Sequence, residues 1–129
     1  MLAVDTNLLV RLLVRDDERQ FAKVVELFEN ESIWASTSVL LETHWVLSVV
    51  IGLEEDRVRE GLRGLLGLPN FSTENRQAWL SALELNAKGI ELADALHVNL
   101  RPGNAKFLTF DKKLAKRASR IGLSGVVEL

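Results

Sequence analysis

Four acids stand where a carboxylate can do chemistry. Asp5 directly follows the apolar run Leu2-Ala3-Val4, and Asp111 follows Lys106-Phe107-Leu108-Thr109-Phe110 in the same way. Glu42 lies inside the apolar stretch Val39 to Leu53, and Asp94 inside Leu92-Ala93-Asp94-Ala95-Leu96. Asp5 and Asp111 admit a second reading, because Asp is a preferred helix N-cap and each precedes a helical pattern. A capping box does not account for Glu42, since the residue three positions earlier is Val39. For Asp94 the local alternative is stabilisation by the helix dipole, with His97 as a partner. No Lys or Arg lies one turn from Glu42 or Asp94, and a buried carboxylate is costly unless paired or metal-bound. A hard divalent cation is the natural counterion for such a cluster, and oxygen-only ligands favour magnesium or manganese over zinc. An ion held this way activates water and clamps phosphodiester oxygens, which makes metal-dependent phosphodiester hydrolysis the leading chemistry.

The elements that must position these acids alternate along the chain. Leu2-Ala3-Val4 reads as a short strand, and Leu8, Leu9, Leu12 and Leu13 have helical spacing after the Thr6-Asn7 turn. Asp16-Asp17-Glu18 opens a second helix with Phe21, Val24, Val25, Leu27 and Phe28 on one face. Ile33-Trp34-Ala35 is a strand, and Ser36-Thr37-Ser38 offers caps for a buried helix from Val39 to about Ile51, stopped at Gly52. Helices follow from Glu54 to about Leu66, Glu74 to Lys88, with Gly89 as its terminator, and about Glu91 to Leu100. Phe71-Ser72, Lys106 to Phe110 and Val126-Val127 read as further strands, with a basic helix from Asp111 to Ile121. This alternation predicts an α/β fold with a mostly parallel central sheet of four or five short strands, covered on both faces. Ligands in such folds bind outside the carboxyl ends of the strands, where Asp5 and Asp111 stand.

Composition narrows the field further. With 129 residues, a single domain spanning 1–129 is expected, and 47% hydrophobic with 26% charged residues argues against disorder. There is no cysteine, which excludes disulfides, zinc–thiolate sites and a thiol nucleophile, and agrees with a reducing cytosol. The N-terminus carries no secretory signal pattern, and the stretch from Val39 to Leu53, interrupted by Glu42, Thr43, His44 and Ser48, is too short to span a membrane. A cytoplasmic location is expected. The net charge of −2 argues against a protein that coats nucleic acid electrostatically, although a local basic stripe can still hold a phosphate backbone.

Val4-Asp5-Thr6-Asn7, Leu40-Leu41-Glu42-Thr43, Leu92-Ala93-Asp94-Ala95-Leu96-His97 and Leu108-Thr109-Phe110-Asp111 resemble, in order and spacing, the acidic motifs of PIN-domain nucleases. The resemblance is closest to the VapC-type toxins of type II toxin–antitoxin pairs and covers essentially the whole chain. It implies a three-layer α/β/α fold and an endoribonuclease using Mg²⁺ or Mn²⁺, one or two ions per active site. It also implies a cognate antitoxin that inhibits the enzyme, and a homodimer. By the same resemblance Asp5, Glu42, Asp94 and Asp111 form the catalytic, metal-binding quartet, with Asp5 and Asp94 as central ligands, Glu42 a direct or water-mediated ligand and Asp111 more peripheral. Thr6, Asn7 and Thr109 match supporting polar positions, with Asn7 expected to orient a carboxylate or water.

Basic residues offer a route for RNA. Lys112, Lys113, Lys116, Arg117 and Arg120 gather after Asp111, and all but Lys112 share a helical face. That face fits an RNA backbone, and equally a solvated surface favoured by the helix dipole. Arg11 and Arg15, one turn apart, fit phosphate, an acidic partner or ordinary surface charge. His44 and His97 sit near Glu42 and Asp94, but helical histidines of this kind are more often packed or hydrogen-bonded than metal-bound. Trp34, Trp45 and Trp79 lie among aliphatics and are expected in the core, and the Val58, Leu62, Leu65, Leu66 face is either core or a partner surface.

Other functions fit less well. A phosphoacceptor signalling domain needs paired acids after the first strand, where only Asp5 stands, and an aspartyl phosphatase needs a second Asp where Asn7 lies. A housekeeping RNA-processing nuclease is the alternative within the same chemistry, and a non-enzymatic binding module is disfavoured by retention of all four acids.

Overall fold

A computed structural model describes residues 1–129. The chain divides into two compact units, Met1–Arg76 and Gln77–Leu129.

In the first unit, β1 (Leu2–Ala3) leads through α1 (Thr6–Val14) and α2 (Glu18–Asn30) to β2 (Ile33–Trp34). From β2 the chain runs through α3 (Thr37–Trp45), a π-helical turn (Val46–Val50) and α4 (Glu55–Leu66) to β3 (Phe71–Ser72). Helical crossovers of this length let successive strands run parallel, and β1, β2 and β3 pair in that order, with Leu2 opposite Ile33 and Ile33 opposite Phe71. Side-chain caps start three of the helices: Asp5, Asp17 and Ser36 each accept from a backbone N–H three residues on. Each such cap satisfies one of the orphan donors of a helix start. Arg15 ends α1 in the left-handed conformation at φ 58°. Phe28 and Phe71 stack with ring centroids 6.3 Å apart, and Asn70 reinforces that junction by donating to the carbonyls of Phe28 and Glu31.

Val58, Leu62, Leu65 and Leu66 are all buried, so the apolar face of α4 is core. On α3 and the turn after it, Leu40, Thr43 and Leu47 define the inward face. Trp45 lies two residues beyond Thr43, on another side of the helix, and is 54% exposed; the expectation that it belongs to the core is therefore incorrect. Glu74 does not begin a helix but accepts from the N–H of Thr37 at 2.8 Å.

The second unit contains α5 (Arg76–Ala87), which starts at the boundary, then α6 (Leu92–Asn99), β4 (Phe107–Thr109), α7 (Lys112–Arg120) and β5 (Val126–Glu128). β4 and β5 are parallel, with Phe107 opposite Val126 and Thr109 opposite Glu128. Trp79, Leu83, Ile90, Leu92, Leu96 and Leu114 are buried. Gly89 terminates α5 with φ +102°, a backbone state that glycine adopts without a Cβ penalty. Arg101 joins the end of α6 to the turn before β5, donating to the Ser124 carbonyl at 3.1 Å.

Within each unit every strand pairing is parallel, and each strand is only two or three residues long. The expectation of one sheet differs from the hydrogen bonding, which joins three strands in the first unit and two in the second. Strands this short form few ladder bonds, and the helices supply most of the buried apolar side chains.

Candidate active site

Asp5 and Glu42 belong to the first unit. Asp5 follows β1 and caps α1: its Oδ1 accepts from the Leu8 N–H at 3.3 Å, and its Oδ2 has no protein donor. Glu42 projects from the face of α3 that also carries Trp45, and that face is exposed. The expectation that an apolar helix would bury this carboxylate is corrected accordingly, because the apolar residues around it are themselves at the surface. Its partner is Thr6, whose buried hydroxyl donates to Glu42 Oε1 and leaves Oε2 free. Thr6 thus ties the start of α1, beside Asp5, to the middle of α3. Asn7 is exposed and makes no side-chain hydrogen bond, so the positioning expected of it is carried by its neighbour.

Arg11 and Arg15 lie on α1 and both are engaged within the chain. Arg11 pairs with Asp16 at 2.9 Å and donates to Gln20, and Arg15 pairs with Glu18 at 3.1 Å while lying over the Phe21 ring. His44 Nε2 meets Glu55 Oε2 at 3.1 Å and bonds none of the four acids.

Asp94 and Asp111 belong to the second unit and line one cavity of about 360 Å³. Asp94, in the first turn of α6, is half-buried and its carboxylate makes no hydrogen bond to protein. His97 is exposed and does not bond it. Asp111 caps α7 through Oδ1 and the Leu114 N–H at 3.1 Å. The Thr109 hydroxyl accepts from the Asp111 N–H at 2.9 Å, so this supporting residue fixes the backbone of the acid rather than its carboxylate.

The cavity also brings in charge that local sequence spacing did not reveal. Lys113, Lys116, Arg117 and Arg120 line it from α7, and Glu91 from the start of α6. Basic side chains therefore do surround Asp94, although none is within a turn of it in sequence. Gly89, Ile90, Glu91 and Leu114 also line it and were not singled out for a site, whereas Arg120 shares the basic face that the i, i+3, i+4, i+7 spacing of the α7 cations predicts.

The donor chemistry fits a hard divalent ion. All four acids offer only oxygen, and each keeps at least one oxygen without a protein donor. Neither unit by itself gathers three or more metal-ligating side chains into one cluster.

A family model described as the PIN domain matches residues 2–120, a stretch that includes all four acids and extends into both units. No curated protein matches the chain. PIN domains are generally nucleases and typically use divalent metals, so the match implies a nuclease-type function on nucleic acid. The α/β class expected from the alternation of elements agrees with this match. No helix is long and apolar enough to cross a membrane.

Proposed function

Because this chain belongs to the PIN domain family, we propose that it is a Mg²⁺- or Mn²⁺-dependent endoribonuclease and the toxin of a type II toxin–antitoxin pair. The observation that carries the reading is the set Asp5, Glu42, Asp94 and Asp111, all inside the matched stretch and each with a free carboxylate oxygen. All four are required for turnover, and the PIN match, which includes residues of both units, favours treating 1–129 as one functional domain.

In this mechanism Asp5, Asp94, Glu42 and Asp111 would hold the ion or ions. When bound, such an ion supplies an activated water and neutralises charge on phosphodiester oxygens. The chain's own residues prepare for this in separable ways. Thr6 fixes one Glu42 oxygen and leaves the other for a ligand or water. Leu8 N–H and Leu114 N–H hold one oxygen each of Asp5 and Asp111, which orients the carboxylates without neutralising them. RNA is held by the cations of α7, Lys112, Lys113, Lys116 and Arg117, because Arg11 and Arg15 already have acidic partners.

The enzyme works in the cytoplasm, as a homodimer, under an antitoxin that blocks it. Trp45, Val49, Val50 and Ile51 form an exposed apolar surface that supports the homodimer. The deciding experiment is 5′-end mapping of total cellular RNA after incubation with purified protein and Mg²⁺ or Mn²⁺, beside EDTA and Asp94→Asn controls. Discrete new ends that vanish in both controls are expected. Ends that persist in EDTA or in the variant would overturn the mechanism.

A further inference from the structure

We propose that the cavity of the second unit is a subsite for one phosphodiester phosphate of the RNA strand, with Arg117 as its principal ligand and Gly89 as the residue that positions Arg117. The proposal deepens the endoribonuclease reading and rests on it for the identity of the strand.

The cations of this cavity are available. Lys113, Lys116, Arg117 and Arg120 line it, and none of their side chains makes an ion pair or hydrogen bond to protein. They outnumber the acids on the same wall, Glu91, Asp94 and Asp111. Four like charges on one face of a nine-residue helix repel one another at i, i+3 and i, i+4 spacing. The helix dipole offsets this for Arg117 and Arg120 in the last turn, but it opposes Lys113 near the N-terminus. An anion entering the cavity relieves that repulsion for all four.

Gly89 explains why Arg117 leads. A Cβ at position 89 would come within 3.2 Å of Arg117 Cζ and Nε and 3.4 Å of Cδ, so the guanidinium lies against bare backbone at the end of α5. The same device occurs once more in this unit, where the Arg101 guanidinium lies against Gly125. The two differ in what the guanidinium reaches. Arg101 donates to the carbonyls of Val98 and Ser124 and serves to fasten the fold. Arg117 is placed with similar closeness but has no protein acceptor, and it lines a cavity. A planar fork held on one side with its donors unsatisfied suits a phosphate oxygen pair.

The test is fluorescence anisotropy of a short labelled single-stranded oligoribonucleotide, titrated in EDTA over a range of salt concentrations. Each variant's fold is checked by circular dichroism. Arg117→Gln should weaken binding about tenfold or more and lower the slope of log K against log salt by about 0.7, the loss of one single-strand phosphate contact. Gly89→Ala should act in the same direction and add nothing to Arg117→Gln in the double variant. Arg19→Gln, an exposed cation on α2, should leave both quantities unchanged. Lys116→Gln carries the test where Gly89→Ala does not fold. Additive losses in the double variant, or an unaltered salt slope in Arg117→Gln, overturn the proposal. Inorganic phosphate forms the second arm. Tighter binding of phosphate than of the oligonucleotide would assign the cavity to a small free anion and overturn the strand subsite. EDTA separates this test from the nuclease reading. Arg117-dependent binding by a protein that never cleaves would support the subsite and sink the nuclease, whereas cleavage with unchanged binding in Arg117→Gln would sink the subsite alone.

Discussion

The two pairs of acids are alike in chemistry and unlike in surroundings. In the first unit Asp5 and Glu42 are held by uncharged donors, a backbone N–H and the Thr6 hydroxyl, while Arg11 and Arg15 are neutralised by Asp16 and Glu18. In the second unit Asp94 and Asp111 share a cavity with four unpaired cations. On the proposed metal-dependent reading, the difference amounts to two routes by which carboxylates are kept ready for an ion. One route removes competing positive charge and orients the acid with neutral dipoles. The other surrounds the acid with cations held beyond ion-pair distance, where they also meet an anionic substrate.

The strongest way to break this comparison is to remove a carboxylate charge from the second pair. Asp94→Asn should lower metal-dependent turnover by more than the roughly 100-fold typical of losing a residue that only supports a ligand. The fold should persist, since Asp94 makes no protein hydrogen bond. Steady-state cleavage of an RNA substrate and a thermal melt check both halves, and turnover near the wild-type rate would remove Asp94 from the reaction.

Thr6→Val tests the first pair at the next scale. It keeps the shape and removes the hydroxyl that holds Glu42, so metal affinity or activity should fall about 10- to 100-fold. Mn²⁺ titration by calorimetry reads the affinity directly. An unchanged affinity would show that the α1–α3 link is structural only.

How far these arrangements were legible in the sequence follows from range. The strand–helix alternation, the caps at Asp5, Asp17, Ser36 and Asp111, and the stop at Gly89 are decided within a few residues, and spacing reveals them. The inward stripe of α4 is legible for the same reason. The exposure of Glu42 and Trp45 is not legible, because an α-helix that is apolar all round gives no periodic signal for which side faces in. The cations around Asp94 come from α7, and the partner of Glu42 from 36 positions away. Neither is written in local spacing, which relates a helical residue only to its neighbours one turn away. The hydrogen-bonded grouping of strands was equally hidden, since strands of two or three residues carry no register information beyond their apolar character.

Capping and catalysis can be separated at Asp5 and Asp111, where one oxygen serves the helix and the other is free. Asn caps about as well as Asp, so Asp111→Asn should leave the melting temperature near that of the wild type while turnover falls. Asp111→Ala loses both, at about 1 kcal/mol of stability. Equal stabilities of the Asn and Ala variants in urea melts would show that the cap contributes nothing and that α7 is held by Leu114 and Ala118 packing alone.

The smallest expected effect sharpens the contrast most. Arg11 is bonded to Asp16 and Gln20 and lies on a mostly exposed surface, so Arg11→Ala should cost no more than about 1 kcal/mol, the ceiling usual for exposed ion pairs. Its effect on the salt slope of RNA binding should be absent, because Arg11 is already engaged by Asp16 and no phosphate contact is lost with it. Lys116→Ala should instead reduce the salt dependence of binding measurably. If both variants lowered the salt slope equally, the cations of the two units would be equivalent to the RNA. The division between a neutral-dipole acid pair and a cation-lined one would then describe the resting protein but not its encounter with substrate.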